Sequence, residues 1–361
     1  MKLRKLSSIL AIALTISLTA CSNSTTGTKE NDNASAIEET TTAPTEAATD
    51  DTASESQVQY PITIKHAFGE TVIESKPERV ATISWGNQDV PLALGVVPVG
   101  ISEANYGVSD GSKLLPWTAE GFKKLGVDSP VLFNDTDGLD FEAISDAQPD
   151  VILASYSGIT QEEYDLLTEI APVVAYPTLA WQTYWRDQIV MDATGMGMQP
   201  EGEQLVTDLE ALIAEKTAGV PQMAGKSAAF FYFDPSDLGK FYVYLPTDPR
   251  ANYLTDLGLT VPASVTELAA SSTSFAIEIS AENVDLLNDI DIIISYGSPS
   301  LLGTLQADSL VGTIPAVQRG SVVLIEDGSA LSASCTPSAL SIPANIDEYL
   351  KLIGEAADKV Q

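Results

Sequence analysis

Histidine is almost missing from this chain. His66 is the only one, so imidazoles cannot cluster around a zinc or manganese ion, and none stands free to serve as a hydrolytic base. No nucleophile elbow is read in the chain, and His66, in an opening hairpin, reads as structural. Cysteine occurs twice, at positions 21 and 335. With Cys21 committed to other chemistry, no disulfide can close within the chain, and Cys335 reads as a small buried residue. Positive charge is scarce too: 18 Lys and Arg face 50 Asp and Glu, a formal net charge of −32. Phosphate binding needs clustered cations, so nucleic acid is excluded as a partner. Long apolar runs are absent except for Leu6 to Leu18, which is too short and wrongly flanked for a membrane-spanning helix.

That one run has a specific context. Lys2, Arg4 and Lys5 precede it, and it ends in Leu18-Thr19-Ala20-Cys21. This pattern is a signal peptide over residues 1–20 with a bacterial lipobox, in which the Cys21 thiol takes a diacylglycerol and the chain is cut before it. Acyl chains such as palmitate contribute about 0.8 kcal/mol per buried methylene, so two or three of them hold a domain on a membrane. Residues 21–59 contain mostly Ser, Thr, Ala, Asn, Asp and Glu. Such a composition buries too little apolar surface to order, which predicts a disordered tether.

About 300 residues remain, room for two lobes. Ile62 to Ile73 alternates as a hairpin with Gly69-Glu70 as its turn. Strands are predicted at Arg79–Ser84, Val96–Ile101 and Val151–Ala154, with helices at Asp89–Leu94 and Phe141–Ala147. Nearly continuous apolar strands alternating with helices indicate a parallel sheet covered on both faces. A second half repeats the scheme, with strands at Ala228–Phe233 and Asp291–Ile294 and a helix at Asn252–Leu257. Glu142 to Tyr156 parallels Glu282 to Tyr296 with one residue of slippage, a spacing that means two similar lobes. Between them, Leu205, Leu209, Leu212 and Ile213 mark an amphipathic helix. Gly195, Gly197 and Pro200 split this region into two helices. The expected division is 60–181 for the first lobe, 182–218 for a bridging helical segment and 219–361 for the second lobe.

Several motifs, taken in order, resemble one family. They are Lys76-Pro-Glu-Arg-Val80, Asp89 to Gly100, Glu142 with Gln148-Pro-Asp150, Asp248-Pro-Arg250, Ser280-Ala-Glu282, and Thr336 to Ile342. Behind a lipobox and across two lobes, they resemble the periplasmic-binding-protein family of ferric-siderophore, vitamin B12 and haem ABC importers. Trp85-Gly86 and Asp248-Pro249-Arg250 look closest to the ferric-siderophore branch. The resemblance implies the class III periplasmic-binding-protein fold: two Rossmann-like α/β lobes with central parallel sheets, joined by a long bridging helix, closing little over a cleft. It implies a monomeric, non-enzymatic receptor that binds a ferric siderophore, needs no cofactor, leaves the iron to the siderophore, and serves an ABC permease and its ATPase. Glu142 and Glu282, at matching helix starts behind Asp140 and Ser280, would dock on permease arginines by that resemblance. A first-turn carboxylate is also favoured by the helix dipole alone. The lipobox with its tether resembles those of Gram-positive bacteria.

Open parallel sheets bind ligands beyond the carboxyl ends of their strands. Trp85, Tyr106, Tyr156, Tyr232 and Tyr296 each follow or end a predicted strand, and Trp181 stands where the first lobe meets the bridge. Aromatic walls suit a bulky chelate, although the same rings could pack under loops. Among five arginines, Arg186 and Arg250 are candidates to meet ligand oxygens; a salt bridge from Arg250 to Asp248 or Asp256 is the alternative. So few cations favour a neutral or weakly charged chelate, such as a ferric hydroxamate, over a catecholate or citrate. Haem, cobalamin, a ligand-sensing lipoprotein and a glycosidase stay open.

Overall fold

The computed structural model describes residues 58–360; the signal peptide, Cys21 and the tether as far as residue 57 lie outside the described residues. Strands β1 (Ile62–His66) and β2 (Gly69–Ile73) pair antiparallel. Their alternation turns Ile64, His66, Thr71 and Ile73 inward. Ala67 and Phe68 make the turn, while Gly69 and Glu70, expected there, open β2. The reason is tertiary: the Ala67 amide donates to the Tyr176 carbonyl at 2.9 Å, tying the turn to the first sheet.

That sheet contains β3 (Val80–Thr82), β4 (Gly100–Ser102), β5 (Leu132–Phe133), β6 (Val151–Ala154) and β7 (Val173–Ala175), all parallel in the order β5-β4-β3-β6-β7. Helices α1 (Asp89–Ala93), α2 (Pro116–Lys124), α3 (Phe141–Asp146) and α4 (Gln161–Thr168) connect them. Every residue of β3, β6 and β7 is buried, as continuous apolar strands in a doubly covered sheet must be. The strand expected from Val96 begins only at Gly100. Gly95 ends α1 in the left-handed region at φ +78° and Val97 stands 40% exposed, outside the ladder. At Gly100 the ring of Phe133 covers the backbone so closely that a Cβ would lie 2.1 Å from its Cζ.

Two helices cross between the lobes, α5 (Trp185–Gly195) and α6 (Gln199–Ala218). Gly197, at φ +68°, separates them, and Pro200 starts the second. At 20 residues α6 is about 30 Å long. Gly202 lets it lie tightly on α5, since a Cβ there would meet that of Ala193 at 2.4 Å. Leu209 and Ile213 are buried on its inner face, with Leu205 and Leu212 packed beside them.

The second sheet departs from the expected parallel form. It contains β8 (Ala228–Asp234), β9 (Asp237–Tyr244), β10 (Ala276–Ser280), β11 (Ile292–Tyr296) and β12 (Val322–Ile325), in the order β10-β9-β8-β11-β12. Pairs β8–β9 and β9–β10 are antiparallel, whereas β8, β11 and β12 run parallel. The Asp234–Asp237 turn returns the chain as a hairpin instead of a helical crossover, and a two-residue return can only be antiparallel. Helices α7 (Pro249–Asp256), α8 (Ala263–Ala269), α9 (Leu301–Ala307), α10 (Pro315–Arg319), α11 (Ala330–Ser334) and α12 (Ser341–Ala357) complete the chain. The repeat read in the sequence is physical: α3 leads into β6 and a 3₁₀ turn at Ala281–Leu287 leads into β11, each the fourth strand of its sheet.

The largest core cluster runs through both lobes. It joins the inner faces of both sheets to α5, α6 and α12, with Trp185, Ile189, Ile213, Phe230 and Ile353 among its members. One segment assigned by sequence to the second lobe also builds the first. Ala333 packs on Leu115 and Trp117, Leu340 on Leu92 and Phe122, and the Ser338 hydroxyl bonds to buried Asp89 in α1. An apolar edge left by α1 and α2 is what this returning segment covers.

Candidate functional site

The loop after β3 starts the site. Ser84 and Gly86 both hold positive φ, +64° and +73°, which turns the chain sharply and presents Trp85. Asn87, fully buried, holds this turn and the next strand end together. Its amide donates to the carbonyls of Ile83 and Tyr156 at 2.7 and 3.0 Å, and its oxygen accepts from the Tyr156 amide, the Ser155 hydroxyl and Gln188. Gln188, on α5, also donates to the Trp85 carbonyl. One asparagine thus sets the position of two aromatic loops.

These loops face the second sheet across a cleft of about 670 Å³. From the first side come Trp85, Tyr106, Tyr156 and Trp181; from the second come Tyr232, Tyr244, Phe275 and Tyr296. Tyr156 and Trp181 meet edge to face at 5.4 Å. Trp181 is 41% exposed, with its indole lying over Gly158, where a Cβ would come within 2.2 Å of Nε1. Burial pushes the Tyr156 and Tyr296 phenols far up, so both stay neutral donors. Tyr106 crosses the cleft: its hydroxyl donates to Asp327 at 2.6 Å and accepts from the Gly328 amide.

Arg250 is the one cation in this lining. Asp248 caps α7 and grips the same residue's guanidinium through Nε and one terminal nitrogen, at 2.8 and 2.7 Å. The guanidinium lies 4.2 Å over the Tyr244 ring. Burial alone would lower its pKa, yet the Asp248 bonds raise it, so it is permanently charged. The salt bridge and the cleft position, opposed as alternatives in the sequence, coexist: five N–H donors leave some free after Asp248 is served.

Seven of the eight ligand candidates therefore line one cavity. Arg186 does not. It pairs with Glu210 at 2.6 Å and Asp256 at 2.9 Å and stacks on the buried Trp185 ring, fastening α5 to α6 and α7. Glu142 and Glu282 are exposed in the first turns of their helices, with Asp140 and Ser280 as caps, and neither lines the cleft. His66 accepts at Nδ1 from the Phe68 amide, which leaves Nε2 to donate to Thr71 at 2.9 Å. Cys335 is buried, donates weakly to the Leu331 carbonyl, and has its thiol pushed up to about 12 by burial. A G-x-S-x-G spacing, passed over in the sequence, does occur at Gly107–Gly111, but Ser109 lies exposed in the long loop between β4 and α2 and not on a strand-to-helix turn.

Sequence reasoning missed Tyr244, the last residue of β9, and Phe275, just before β10. It also missed four carboxylates in the lining: Glu103, Asp135, Glu163 and Asp327. A signal for three of them existed. Glu103 follows β4 by one residue, and Asp135 and Asp327 follow β5 and β12 by two, the same strand-end rule that found the aromatics.

Known proteins share this architecture.

 The periplasmic binding protein family matches residues 80–327. Among solved structures, the chain is similar to PiaA of Streptococcus pneumoniae TIGR4 in complex with ferrichrome, with 51% identity and a TM-score of 0.80, covering 83% of this chain and all of that one. Among curated proteins, it is 25% identical over 215 residues to the probable siderophore-binding lipoprotein YfiY of Bacillus subtilis, covering 57% of this chain and 59% of the relative. It is also 25% identical over 174 residues to the putative ABC transporter substrate-binding lipoprotein YhfQ of the same organism, covering 47% and 50%. The chain thus spans between half and three fifths of these two relatives. The family match is wider in structural terms. It runs from the first residue of β3 to the loop after β12, taking in both sheets and the helices between them, and on that extent the chain belongs to the periplasmic binding protein family.

Proposed function

We propose that this chain is the extracytoplasmic binding subunit of an ABC importer, that it captures a ferric siderophore of the hydroxamate class in the cleft, and that it delivers this cargo to a membrane permease. The observation that carries the reading is the cleft itself: about 670 Å³, walled by eight aromatic rings from two lobes, with one fixed guanidinium. That volume lies within the usual ligand range of about 300–1,000 Å³. Rigid rings bury a bulky chelate at low entropic cost, and the free N–H donors of Arg250 suit the oxygens around a chelated iron. The similarity to a ferrichrome-bound protein supports the hydroxamate class. Binding is the role proposed, not catalysis, and the iron arrives as cargo within its chelate.

Anchoring through Cys21 and docking through Glu142 and Glu282 belong to the same proposal. The names of the curated relatives support a lipoprotein, and the exposed, matching positions of the two glutamates support docking. Two weak contacts on one body act bivalently, which sets orientation. No helix among the described residues is long and apolar enough to cross a membrane.

The test is tryptophan quenching, because Trp85 and Trp181 line the cleft. Saturable quenching by a ferric hydroxamate, with a Kd in the micromolar range or tighter (about −8 kcal/mol), is the expected result. Binding of haem or cobalamin with no ferric chelate bound refutes it.

A further inference from the structure

We infer that the cleft is built for a ferric trihydroxamate carrying a positively charged arm, with Asp135, Glu163 and Asp327 supplying the counter-charge. The inference rests on the siderophore reading above and names the charge class of its cargo.

The lining contains one cation and four carboxylates. The cation is already answered, since Arg250 is held through two nitrogens by Asp248, which stands behind it. Glu103 is answered by Lys113. Asp135, Glu163 and Asp327 have no ion-pair partner among the described residues. Asp327 accepts the Tyr106 hydroxyl, and Glu163 accepts the Thr160 amide and hydroxyl at 2.7 and 2.9 Å. These donors are neutral and leave the charge in place. Burial raises the Asp135 carboxyl above its usual value, as expected where no cation compensates it.

The walls point the same way independently of the acids. Aromatic faces carry negative potential and attract ammonium groups, and here rings approach from both lobes. An anionic ferric catecholate or citrate would face three unanswered carboxylates and a guanidinium whose charge Asp248 already balances. A complex with a protonated amine finds favourable charge and favourable ring faces in one cavity.

A matched pair of cargoes isolates the charge. Ferrioxamine B has a free amine, and its N-acetylated form has the same iron and hydroxamates without that charge. Calorimetry on the full chain is run at about 10 mM and about 1 M salt, where the Debye length is about 30 Å and about 3 Å. The amine form should bind about tenfold tighter at low salt, and the advantage should vanish at high salt. Asp135→Asn with Asp327→Asn should reduce it at low salt to the remainder held by Glu163, which is left intact because it caps α4. The salt series on the unaltered protein stands even if that variant fails to fold. Equal affinity for the two forms, or binding of ferrichrome and neither linear complex, overturns the charge assignment. An advantage undiminished in the double variant overturns the choice of residues. Binding of no ferric hydroxamate at all overturns the siderophore reading instead.

Discussion

Asp89 offers a quantitative test of how the returning carboxyl-terminal segment is fastened. It is wholly buried in α1. Its Oδ2 accepts Trp117 Nε1 at 2.9 Å and the Ser338 hydroxyl, and its Oδ1 accepts the Thr118 hydroxyl at 2.9 Å. Burial pushes its carboxyl up and the hydrogen bonds pull it only part of the way back, which leaves it raised from 3.8 to about 6. Between about pH 4 and pH 6 the native protein therefore keeps a proton that the unfolded chain has lost. Where the native state binds more protons, stability falls as pH rises, so this contribution declines across that window and is flat above it. At about 1.4 kcal/mol for each tenfold change in proton affinity, the window corresponds to about 3 kcal/mol. Asp89→Asn removes the titration but keeps an oxygen for Trp117 and Ser338 and offers an amide to the Thr118 hydroxyl. Urea unfolding of both proteins at half-unit steps from pH 4 to 7, taken as a difference, cancels the many other acidic groups. The unaltered protein should lose about 3 kcal/mol relative to the variant as pH rises through the window. A difference that stays constant with pH refutes the reasoning.

Other expectations follow from named contacts. Arg250→Ala leaves Asp248, whose side chain is 1% exposed, without its partner; a loss of about 3 kcal/mol in denaturation should accompany at least a tenfold loss of cargo affinity, and unchanged affinity would remove its ligand role. Gly158→Ala drives a methyl into the Trp181 indole, so cargo affinity should fall and tryptophan emission should shift, with folding measured by circular dichroism nearly unaffected. The sole histidine gives a single proton-NMR titration: burial lowers the His66 pKa, so its midpoint should lie below 6.5. With the folded value lowered, acidification below 6.5 favours the unfolded chain, and His66 should cost stability there. Glu142→Ala with Glu282→Ala should abolish import into cells while calorimetry shows intact binding; lost binding would make both residues structural.

Much of the fold was legible because buried parallel strands leave continuous apolar runs. Val151–Ala154 and Ile292–Tyr296 could hardly be read otherwise. Val96–Pro98 has the same apolar character but lies outside the ladder: the first bond to β3 comes from the Val99 amide, to the Val80 carbonyl at 2.8 Å, and β4 opens at Gly100 under Phe133, a contact made across 33 residues. The hairpin β8–β9 was half read: Ala228–Phe233 is apolar and buried except at Tyr232, while half of Asp237–Tyr244 is exposed and its character is mixed. Losing β9 cost Tyr244 and Phe275. Arg186 was misplaced for a similar reason, because its carboxylate partners lie 24 and 70 residues away and only the packed helices bring them together. Local patterns report which face of an element is buried, and they are silent about which distant side chain answers a charge.

The bond from Ser338 to Asp89 joins positions 249 residues apart, and Tyr106 reaches Asp327 across 221. Closing such long loops is slow, because their entropy is spent before any contact rewards it. During synthesis the first sheet emerges early, yet the groups that cover Leu92, Leu115 and Asp89 arrive almost last. The amino-terminal half must therefore wait, partly open, for the end of the chain.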